Sequence, residues 1–204
     1  VLVADPARNR FYIVRQDRNE IQVYDASNYN QVATFRTGNT PTGIAITYDR
    51  RLMLAANDDS QVAYVYDLDL MKKVGMVVFP SGHYPKSIGC SSNALLAFSR
   101  GVPPRHTATE DCWMAGAVKE CRPRYPSGGT NTIDRIDLTP DLTLEPFGLL
   151  PLSHAVQLPT LGIYVNSIET VNTVLTVSPS GTKIFIVRDD GYVMAYDAIP
   201  DTFF

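Results

Sequence analysis

Residues 42–79, TGIAITYDRRLMLAANDDSQVAYVYDLDLMKKVGMVVF, contain four short apolar runs with turns between them. Residues 42–47, 51–56, 61–66 and 73–79 are too short for helices and rich in β-branched and aromatic residues. The stretches separating them, Tyr48-Asp49-Arg50 and Asn57-Asp58-Asp59-Ser60, carry turn residues. The plan is four antiparallel strands in one unit. QVAYVY and RLMLAA lack strict apolar/polar alternation, as expected of sheets buried on both faces.

The unit recurs. Tyr24-Asp25 returns as Tyr66-Asp67, Ile136-Asp137 and Tyr196-Asp197, each ending a β-prone run. The first interval is 42 residues, and the later ones of 70 and 60 read as the same unit with longer loops. Four short antiparallel strands in about 42 residues make a propeller blade, so the expected fold is an all-β propeller with about four blades. Their approximate bounds are 1–40, 41–82, 83–147 and 171–204, with insertions over 101–130 and 148–170. The fourth strand of unit three is expected near Thr143 to Phe147.

The turn, apolar strand and strand ending in Tyr-Asp appear as DPARNRFYIVR…EIQVYD, TYDRRLMLAAN…VAYVYD and SPSGTKIFIVR…YVMAYD. In this the chain resembles the YVTN-type β-propeller repeat proteins, found mostly in secreted or surface-exposed bacterial polypeptides. The namesake tetrapeptide survives only in diluted form, at Leu54-Ala55-Ala56-Asn57. The resemblance implies a ring of about seven blades and no single activity. The 204 residues are accordingly read as part of a larger ring, with closure of four blades as the alternative. Either more chain or a partner must cover the apolar faces of an open arc.

Lys plus Arg number 18 against 21 Asp plus Glu, a net charge of −3, which argues against a nucleic-acid partner held by phosphate contacts. Arg8, Arg10, Arg15 and Arg18, and also Arg122 and Arg124, read as solvated loops and strand edges. No apolar run approaches the ~18 residues of a membrane span. Cys112 and Cys121 flank a short segment in a Pro- and Gly-rich insertion, where a disulfide would close a loose loop and favour an oxidising compartment. Cys90 lies in an apolar strand and reads as a buried free thiol.

Strand order places second-to-third loops and blade-to-blade loops on one rim. Both insertions therefore belong there, beside the third blade. Candidate binding residues on this rim are Arg105, His106 and Trp113 in the first insertion, with Asp58, Asp59, Asp189 and Asp190 in second-to-third turns. Asp and Asn are ordinary turn residues, and without a spaced calcium loop no metal site is assigned. The repeating Asp25, Asp67, Asp137 and Asp197 read as turn residues too. His83 lies on the same rim, while Asp134 and Arg135 interrupt an apolar strand as a local ion pair would at a blade interface. The histidines form no catalytic motif and no cofactor is implied.

The leading expectation is a non-enzymatic, extracytoplasmic binding or scaffold module contacting a protein or carbohydrate through this rim. The remaining blades of the same precursor are a further candidate partner. Alternatives are a lactonase-like or quinone-dependent enzyme with a central-channel site, and a structural subunit of a surface layer or fibre.

Overall fold

The computed structural model describes residues 1–79, 83–92, 94–101, 109–115, 118–124, 132–137, 149–150, 154–157, 173–188, 191 and 193–204. The chain is all-β, and among the described residues none lies in an α-helix. Sheet one is β1 (Leu2–Asp5), β2 (Arg10–Arg15), β3 (Glu20–Asp25) and β4 (Gln31–Arg36) in that order. Sheet two is β5 (Pro41–Ile46), β6 (Leu52–Asn57), β7 (Val62–Asp67) and β8 (Lys72–Val78). Sheet three pairs β9 (His83–Cys90) with β10 (Ala94–Gly101) and β10 with β13 (Thr132–Asp137), and between β10 and β13 the chain forms a separate two-stranded sheet, β11 (Thr109–Ala115) and β12 (Val118–Arg124). Next come β14 (Leu149–Leu150) and β15 (His154–Gln157), and then sheet four: β16 (Thr173–Val177), β17 (Lys183–Arg188), β18 (Val193–Asp197) and β19 (Thr202–Phe203).

Within each of the four sheets, consecutive strands pair antiparallel, as the repeat predicts. Sheet three departs from the expected plan at its edge. Its outer strand is β15, with Thr132 opposite Gln157, so it falls inside the stretch read as an insertion. Residues 143–147, where the repeat places that strand, lie outside the described residues. β15 is only four residues long and lies between Pro151 and Pro159, so its β signal is weak. β14 crosses to sheet two and pairs parallel with β8, Leu149 opposite Met76, linking the outer edges of the second and third sheets.

The sheets pack face to face in chain order. Tyr12, Ile21, Val23 and Phe35 of sheet one meet Met53, Ala55 and Tyr66 of sheet two in one core. Leu54, Ala63, Val65 and Val77 of sheet two meet Ile88 and Cys90 of sheet three in another. Fully buried side chains such as Met53, Leu54 and Ile21 each contribute about 1.5–3 kcal/mol. Tyr66 stacks on Phe35 with ring centroids 4.8 Å apart and donates its hydroxyl to the Arg36 carbonyl at 2.6 Å, so its polar end is also satisfied. Gly89 leaves room for sheet four: a Cβ there would lie 3.4 Å from Leu175 Cβ. The first strands of the four sheets, β1, β5, β9 and β16, all line one cavity of about 620 Å³. Among the described residues, no comparable packing joins sheet one to sheet four.

The repeating aspartates close the third-to-fourth turns. Asp25 accepts from the Ser27 amide at 2.7 Å, Asp67 from Asp69 and Leu70 at 2.9 and 2.8 Å, and Asp197 from Ile199 at 3.2 Å. Four residues beyond each one, Tyr29, Met71 and Asp201 take positive φ. A side chain that satisfies the turn's amides explains why Asp recurs at this place. The side chain of Asp137 lies outside the described residues.

Candidate functional site

The end of the third sheet that carries the first long connection is defined by backbone register. Gly101 pairs with His83, Ser99 with Thr132, and Thr132 with Gln157. The connections 102–131 and 158–172 therefore both leave from this end, in keeping with the strand order. The excursion after Asp137 instead joins the third and fourth strands, so by the same parity it starts from the opposite end. The stretch read as one insertion is thus divided by β15 into two connections of opposite parity.

At this end, His83 Nδ1 lies 3.0 Å from Asp134 Oδ1, with the carboxylate fully buried and the imidazole partly exposed. Asp134 shares a sheet face with Ile88, since Ala97 lies opposite both. That face looks onto sheet two. Arg135, next along β13, points the other way. It bonds Tyr196 Oη, reaches Asp201 at 2.9 Å and lies over the Tyr196 ring. The two polar residues that interrupt this strand therefore serve separate interfaces. Sequence reasoning singles out all three groups but misses the His83–Asp134 pairing, which depends on a register 51 residues apart.

Among the predicted site residues, Trp113 and Cys112 lie in β11, opposite Glu120 and Cys121 of β12. The hairpin forms a sheet of its own, separate from sheet three. Asp58 and Asp59 lie in the β6–β7 turn and engage the loop before β5. The Asp58 amide donates to the Thr40 carbonyl at 2.9 Å, and Thr40 Oγ1 donates to Asp59 at 2.7 Å. These bonds support the turn reading of the two aspartates. Arg105, His106, Asp189 and Asp190 lie outside the described residues. No group of acidic, His and Cys side chains suited to a metal occurs among the described residues.

Two arginines read as solvated are structural. Arg8 bonds Asp5 at 3.1 Å within its own sheet and reaches Asp69 and the Arg50 carbonyl of sheet two at 2.8 and 2.7 Å. Arg10 donates to the Leu68 carbonyl and Met71 Sδ. They clamp the first two sheets together. Arg15 pairs with Asp17 on the surface, and this bond holds the Asp17 carboxyl below its usual range. Cys90 is a buried free thiol, and burial pushes its pKa upward.

The cavity lined by the first strands opens among first-to-second turns, at the end opposite His83. Asp5, Thr47 and Ser178 contribute to its wall. Their side chains are largely engaged in holding the turns. Asp5 Oδ2 accepts from Tyr12 and Arg8, while Asp5 Oδ1 is buried without a partner among the described residues. Thr47 Oγ1 bonds Asp49 and accepts from the Leu52 amide, and Ser178 Oγ accepts from the Lys183 amide.

The fold thus defines an all-β chain of face-packed, antiparallel four-stranded sheets. Comparison with known protein families and with curated proteins finds no match.

Proposed function

We propose that this chain is a β-propeller segment serving as an extracytoplasmic binding or scaffold module, with a loop-rich rim beside the third sheet that contacts a protein or carbohydrate. The observation that carries this reading is the convergence of Gly101, Thr132 and Gln157 at one strand end, beside the His83–Asp134 pair. A rigid stack of sheets holding long connections lets a surface bind with little loss of loop entropy. The YVTN-type resemblance and the Cys112–Cys121 register support the extracytoplasmic part.

An enzyme of the lactonase or quinone-dependent kind would use the central cavity. The engagement of Thr47 and Ser178 in turn bonds favours the rim reading. The test compares the chain with a variant in which 109–124 is replaced by a short Gly-Ser link, probing both on an array of bacterial cell-wall glycans. The expected result is glycan retention by the parent and at least a tenfold loss in the variant, with unchanged thermal unfolding. A parent that binds no glycan but turns over lactones would contradict the proposal.

A further inference from the structure

The four sheets share a register anchored by Asp25, Asp67, Asp137 and Asp197 at the ends of their third strands. Positions can therefore be compared from sheet to sheet. One face of sheet two presents Ile44, Met53 and Tyr66, all buried against sheet one. Its equivalent in sheet four presents Leu175, Ile184 and Tyr196, likewise buried. In sheet one the same positions are Leu2, Phe11 and Tyr24. Here Leu2 is 64% exposed, against 6% for Ile44 and 7% for Leu175, and Phe11 and Tyr24 are half-buried. They form a stacked aromatic pair 5.1 Å apart, with Tyr29 beside it.

The opposite face shows the reverse. Val14 and Ile21 of sheet one and Ala56 and Ala63 of sheet two are buried between sheets. Their counterparts in sheet four are Val187 and Val193, which are exposed, Val193 by 63% against 0% for Ile21 and Ala63. Val174 lies in register with Val187, and Val187 with Val193, so the three make an apolar row across three strands. Exposed apolar rows of this kind mark interaction surfaces.

Among the described residues the two outer faces are thus the two unmatched halves of one interface type, and that interface already occurs inside the chain. We propose that they pair between two copies of this chain, head to tail, with the Leu2–Phe11 face of one copy on the Val187–Val193 face of the other. The occupant follows from continuity: each open face carries apolar groups at the positions that, in neighbouring sheets, pack on the other kind of face. A second copy supplies both halves at once, through two equivalent head-to-tail contacts. This pairing rests on the sheet faces and is independent of the rim reading.

Sedimentation velocity of the 204-residue chain across micromolar concentrations tests it. The expected species is a dimer. Leu2→Asp and Val193→Asp, each at an exposed position, should separately raise the dissociation constant by at least about a hundredfold, in keeping with a charge buried against apolar surface. Far-UV circular dichroism checks that both variants remain folded. An equimolar mixture of the two variants should regain dimer, because the intact face of each meets the intact face of the other. A monomeric parent would overturn the proposal, as would a dimer insensitive to both substitutions or a mixture that fails to recover.

Discussion

Asp134 and Arg135 are neighbours in β13 that serve opposite faces of the third sheet, one holding His83 toward sheet two and the other holding Asp201 and Tyr196 of sheet four. Strand alternation makes this possible, since successive side chains leave opposite sides of a sheet. Arg135 is the more deeply committed partner of its pair, being largely buried while Asp201 is partly exposed. Arg135→Met should lower unfolding free energy in urea by about 2 kcal/mol. Asp201→Asn should cost less than about 1 kcal/mol, because its solvent contact already screens the pair. Equal losses would contradict this asymmetry.

Alkaline pH should destabilise the fold through its buried phenols. Tyr12 is pushed up to about 12 by burial and then by the Asp5 carboxylate, and Tyr196 to about 12 by burial and then by its bond to Asp201. Both keep their protons in the folded chain where an unfolded phenol, with its ordinary value of 10.0, has lost its own. The unfolded chain then binds fewer protons, so stability falls as pH rises. Their contribution is complete below pH about 10 and disappears as pH passes through about 12. Thermal melts across this range should show the decline, and Tyr12→Phe should make it shallower.

Gly181 couples two turns that are far apart in sequence. Its φ is +71°, and a Cβ there would lie 2.4 Å from Tyr48 Cε2. Gly181→Ala should cost about 1–2 kcal/mol, combining backbone strain with displacement of the ring. In a Tyr48→Ala background only the backbone part remains, about 1 kcal/mol. A double-mutant cycle by chemical denaturation measures the difference.

Cys112 and Cys121 should form a disulfide. Cys112 lies directly opposite Cys121 in the β11–β12 register. Residues directly opposite across an antiparallel pair have Cα atoms about 4.5–5.5 Å apart, which is within the range a disulfide spans. Non-reducing peptide mapping should recover the linked pair together with a free Cys90. An alkylated Cys112 from the native protein would contradict this.

The strands are legible in the sequence wherever the repeat is regular. The runs around Tyr24-Asp25, Tyr66-Asp67 and Tyr196-Asp197 mark three sheets, because composition and turn chemistry there agree. β14 and β15 are not legible. At two and four residues they carry little periodicity, and both are defined by pairing with distant edges. Strand order alone predicts the shared end of the long connections, whereas the His83–Asp134 pair and the Arg8 clamp need packing between elements to appear. Arg8 reads as solvated because nothing in DPARNR reveals that Asp69 lies opposite.

The first strands of neighbouring sheets line one cavity, and Gly89 with Leu175 tests this most directly. A Cβ at Gly89 would lie 3.4 Å from Leu175 Cβ, close to the ~3.5–4.5 Å between Cβ atoms in disulfides. The measurement is peptide mapping of the oxidised Gly89→Cys/Leu175→Cys double variant. A bridge between positions 89 and 175 in a protein with parental β-sheet circular dichroism is predicted. Two free thiols at those positions in an equally folded protein would contradict the stacking.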